Sequence, residues 1–77
     1  MTFFNSFKAD MTQFVHIVQV HPVENGEPNL YKVKMEQEFP TVYLAKFWIE
    51  EFNRAVKENA VRAVYYGCVN SETGERL

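Results

Sequence analysis

One stretch constrains this chain more than any other: Pro40 to Ala60, PTVYLAKFWIEEFNRAVKENA, the only long segment whose apolar residues recur at a helical interval. Everything before and after it reads as strand or turn. Pro40 fixes its own φ and biases Phe39 to an extended backbone, so a strand ends there. Thr41 is the natural N-cap, because its hydroxyl can accept from an amide one turn inside. The spacing predicts a helix over 42–58, with Asn59 as its stop. At roughly 100° per residue, Ala45, Trp48, Ile49, Phe52, Ala55 and Val56 share one side. Lys46, Glu50, Asn53, Arg54 and Lys57 take the other. Lys46–Glu50, Glu50–Arg54 and Arg54–Glu58 have the spacing of helical charge pairs. Tyr43 and Phe47, four apart, fall on the polar side or at its border. They either pack under another part of the chain or meet a partner.

The rest of the chain supplies a sheet. Thr12 to Val20 reads as a strand with apolar residues on both faces, so it is expected to be central or covered on both sides. His21-Pro22 weakens its pairing, since Pro cannot donate to a ladder. Asn25-Gly26 is a type I′ hairpin pair. Leu30 to Phe39 alternates Tyr31, Val33, Met35 and Phe39 with charged residues, which predicts a half-buried strand over 30–39. Val61 to Val69 reads as a further strand. Its expected faces are Val61, Ala63, Tyr65, Gly67 and Val69 against Arg62, Val64, Tyr66 and Cys68. Gly67 inside it signals a bulge, or a ring packed over its missing side chain. Asn70 to Gly74 is a turn, and Glu75-Arg76-Leu77 begins a short last strand. The expectation is an α+β domain of order ββαβ(β), one amphipathic helix on a small antiparallel sheet. The helix stripe would meet Tyr31, Val33 and Met35. Residues 1–11 form an N-terminal arm whose Phe3, Phe4 and Phe7 are expected to dock on this domain or a second copy.

Function is less legible. His16 and His21 are five apart, so on a strand they face opposite ways and cannot share a metal. Cys68 is a lone cysteine without a CxxC partner, read as a buried small hydrophobe. No serine stands in a triad order, and the three glycines make no phosphate loop. No enzyme, cofactor or metal is expected. The net charge of −2 argues against a dedicated phosphate-binding surface. One cysteine and no signal peptide or apolar span suit a cytoplasmic protein. The aromatic content is the informative part. Seven Phe, four Tyr and one Trp in 77 residues are more rings than so small an interior can shelter. The candidate contact residues are therefore Tyr43, Phe47, Glu51, Arg54, Phe3, Phe4 and Phe7, for a protein partner or a homodimer. The alternatives are a nucleic-acid binder using Tyr65 or Tyr66 with Arg62, Lys32 and Lys34, or a structural oligomer subunit.

Ala45-Lys46-Phe47-Trp48, Glu50-Glu51-Phe52-Asn53, Tyr65-Tyr66-Gly67-Cys68-Val69 and Thr73-Gly74-Glu75 together give a resemblance over the last half of the chain. It resembles the small single-domain accessory proteins of bacteriophages and mobile elements, such as anti-CRISPR proteins. That resemblance implies binding and blocking a host protein or defence complex, and it assigns no functional residue. The slight net charge does not suit the DNA-mimic variety of that role.

Overall fold

The computed structural model describes residues 14–56 and 60–77. Strand β1 (Phe14–Glu24) runs to a hairpin with β2 (Glu27–Pro28). Then come β3 (Met35–Phe39), helix α1 (Val42–Ala55) and β4 (Val61–Asn70). All pairings are antiparallel, with β1 between β4 on one side and β2 and β3 on the other. One helix on a small antiparallel sheet makes this an α+β fold.

The hairpin turn has Asn25 at φ 57° and Gly26 at φ 83°, as the Asn-Gly pair predicts. The strand expected over 30–39 is cut short. Its partner register on β1 jumps between Val23↔Pro28 and Val20↔Met35, so residues 29–34 leave the sheet as an excursion. The reason lies in Pro22. Its carbonyl accepts from Asn29 N at 2.8 Å, so its missing N–H faces the same edge. The ladder lacks a donor there, and the partner strand departs. Tyr31 is consequently 99% exposed, and Val33 and Met35 are exposed rather than facing the helix. Strand β1 in turn runs past His21-Pro22 to Glu24.

Helix α1 begins where expected. The Thr41 hydroxyl accepts from the Leu44 amide at 3.2 Å. It ends earlier, at Ala55, because Val56 takes an extended backbone. Ala55 is exposed, and positions 57–59, including the expected stop Asn59, lie outside the described residues. Val18, Val20, Ala45 and Ala63 form the sealed centre of the core. Phe39, Trp48, Ile49, Phe52, Val61 and Tyr65 pack around it. Trp48 stacks on Phe52 at 4.9 Å between ring centres and tilts against Phe39 at 5.9 Å.

Asn53 was expected on the wet side of the helix, yet it grips β4. Its carboxamide accepts from Ala63 N at 2.8 Å and donates to Ala63 O at 3.1 Å. The amide thus does for the outer edge of β4 what a neighbouring strand would do. Further along, Leu77 N donates to Cys68 O at 2.9 Å and Asn70 N donates to Glu75 O at 2.8 Å. The expected last strand is reduced to a single bridge, Val69↔Arg76.

Gly67 does mark a bulge. The β1–β4 register shifts between Ile17↔Gly67 and Val18↔Tyr65, leaving Tyr66 as the extra residue. That one-residue slip exchanges faces beyond it. Gly67 and Val69 join Val64 and Tyr66 on the face away from the helix. Cys68, expected beside Tyr66, shares the helix side with Tyr65 and is only partly buried.

Candidate functional site

The outward side of α1 is where the sequence-predicted contact residues meet. Ala45, Trp48, Ile49 and Phe52 anchor the helix by its other side. Rotation by 100° per residue therefore leaves Tyr43, Phe47, Glu50 and Arg54 turned from the sheet. Tyr43 is 83% exposed and Phe47 61%, with Leu44 open beside them. Tyr43 and Phe47 are one turn apart, so their rings flank one strip of surface. Arg54 Nη1 lies 2.7 Å from Glu51 Oε2, forming a pair across the next turn. Arg54 was expected to pair with Glu50 or Glu58. The shorter i,i+3 reach to Glu51 wins over Glu50, and Glu58 lies outside the described residues. Four of the seven candidate contact residues are thus brought together. The other three, Phe3, Phe4 and Phe7, lie outside the described residues.

A second exposed element was not foreseen. The excursion 29–34 presents Leu30, Tyr31 and Val33 to solvent. Its backbone is nonetheless tied down. Asn29 Oδ1 accepts from Tyr31 N at 3.0 Å, and Asn29 O accepts from Lys32 N at 3.1 Å. The Lys32 carbonyl accepts from His21 Nδ1 at 2.6 Å. Lys32 Nζ lies 3.3 Å from Glu24 Oε2, and Asn29 Nδ2 donates to Glu24 Oε1 at 2.9 Å. These bonds from Asn29, then from Lys32 with its charge, hold the Glu24 carboxyl below the usual carboxylate range. The cause lies outside this segment, at Pro22, whose missing N–H stands opposite Asn29.

The two tyrosines of β4 part company. Tyr65 turns to the helix side, where its hydroxyl meets His16 Nδ1 at 2.8 Å and its ring stacks on His16. Tyr66 turns to the opposite face under Arg76, whose guanidinium carbon is 4.7 Å from the ring centre. Glu36 and Glu38 project on that same face from β3, and Gln19 donates to Glu36 at 2.7 Å. Of the basic residues proposed for nucleic acid, Arg62 lies opposite His21 on β1 and so shares the sheet face of Tyr66, whereas Lys32 is drawn to Glu24 and Lys34 belongs to the excursion. Among the described residues, no group of three or more His, Cys, Asp or Glu could hold a metal ion. Among them too, no helix is long and apolar enough to cross a membrane.

No family model, curated protein or solved structure matches the chain.

Proposed function

We propose that this chain is a non-enzymatic protein-binding module whose contact surface is the outward side of α1. Tyr43, Leu44 and Phe47 supply the apolar centre, and the Glu51–Arg54 pair supplies part of a polar rim. The observation that carries this reading is the exposure of two aromatic rings, 83% and 61%, on a helix already anchored by its other side. Apolar area left in water forgoes about 25 cal/mol per Å² of stabilisation, which a partner surface would recover. Rings are also the side chains that most often dominate interface energetics. The role implied by the resemblance, blocking a host protein or complex in a phage or mobile-element setting, is one use of such a surface. Self-association is the other.

Phe47→Ala tests the surface. It should reduce capture of partner from native host lysate, or lower the mass seen by sedimentation, while the circular dichroism spectrum stays unchanged. Unchanged capture together with unchanged mass would remove the surface claim. The nucleic-acid reading has less support. Glu36 and Glu38 share the face of Tyr66 and would repel a phosphate backbone.

A further inference from the structure

The sheet face turned away from the helix carries a groove of about 260 Å³. Gln19, His21 and Val64 floor it, Leu30 of the excursion forms one wall, and Tyr66 with Arg76 forms another. Its polar groups are held by the fold. His21 is 2% exposed, and its Nδ1 lies 2.6 Å from the Lys32 carbonyl. A carbonyl oxygen only accepts, so Nδ1 carries hydrogen and the ring is fixed in orientation. Arg76 is seated twice. Its guanidinium covers Tyr66, and its stem crosses Gly67, where a Cβ would come within 3.0 Å of Nε. At φ 142° any side chain in place of Gly67 would be strained and would press on the arginine.

The charges divide this face. Among the described residues, Arg76 is the only formally charged one lining the groove. An adjoining hollow of about 280 Å³ beyond Gln19 and Tyr66 is lined by Glu36 and Glu38. An anion is therefore drawn to the Arg76 end and turned away from the other. Small-molecule sites commonly measure about 300–1,000 Å³ and join an apolar lining to a few fixed polar groups. This groove lies just below that range, which limits its occupant to a single ring.

We infer that the groove binds a one-ring aromatic carboxylate. The carboxylate takes the planar fork of Arg76, the geometry guanidinium matches best. The ring lies among Leu30, Val64 and Tyr66, over His21. This site is separate from the outward side of α1, so neither proposal depends on the other.

Heteronuclear NMR of the full chain with para-hydroxybenzoate tests it. The expected result is saturable shifts at Gln19, Val64 and Tyr66, with a Kd of about 1 mM or tighter. Para-hydroxybenzamide, which has the same ring without the charge, should bind about tenfold more weakly, as should Arg76→Gln with the acid. Phe47→Ala should bind the acid as the wild type does. Three results would overturn the assignment: no saturable shift at about ten times that concentration, equal binding of acid and amide, or shifts centred on Tyr43 and Phe47. The comparison of acid with amide uses the unmodified chain, so it stands even if a variant fails to fold.

Discussion

The two sides of α1 carry similar chemistry to different ends. The inner side has Trp48 and Phe52, the outer side Tyr43 and Phe47. Ala45 explains the division. It is fully buried, and its small side chain lets the helix lie close on Val18, Val20 and Ala63. The inner rings then fill the flanks of that contact, Trp48 between Phe39 and Phe52. The outer rings meet no comparable surface. Aromatic content alone therefore says little about what holds a small domain together. Position relative to the one close-packed contact decides which rings stabilise the fold.

Substitutions along α1 can break or sharpen this contrast. Trp48→Ala should have the largest effect, lowering stability by about 3–5 kcal/mol in urea denaturation, less if its partly exposed edge contributes little. A loss no greater than that of a surface substitution would mean the inner side is not the anchor. Asn53→Ala comes next, at about 1–3 kcal/mol, because it strips both hydrogen bonds from Ala63 at the edge of β4. A neutral result there would return Asn53 to the wet side that its periodicity suggested. On the outer side, a double-mutant cycle on Glu51 and Arg54 should give about 0.3–0.5 kcal/mol, fading with salt, because both side chains stand well into solvent. Tyr43→Ala and Phe47→Ala should each change stability by less than about 0.5 kcal/mol.

What could be read from the residues, and what could not, follows from how local each signal is. The Thr41 cap, the inner stripe from Ala45 to Phe52, the Asn25-Gly26 turn and the Gly67 bulge each rest on a few neighbouring residues. The excursion 29–34 does not. Alternation continues through LYKVKMEQEF, and nothing within it shows where a partner strand stops offering donors. That information sat at Pro22 and became readable only once Pro22 was placed opposite Asn29. The faces of β4 failed for a related reason. Gly67 signals a bulge or a packed ring, but the exchange of faces beyond a bulge depends on which residue is left over, and that is Tyr66. Asn53 escaped notice because its carboxamide acts on a strand edge, which periodicity along a helix does not encode. Of the candidate contact surface, Tyr43 and Phe47 were legible because they break the amphipathic split. Leu30 and Tyr31 were hidden inside a strand-like alternation.

The most direct measurement is sedimentation velocity with partner capture on the wild type and on a Tyr43→Ala/Phe47→Ala double variant, alongside their urea midpoints. The account predicts matching midpoints and a clear loss of association in the variant. Association that survives both substitutions, or a midpoint that collapses with them, would contradict it.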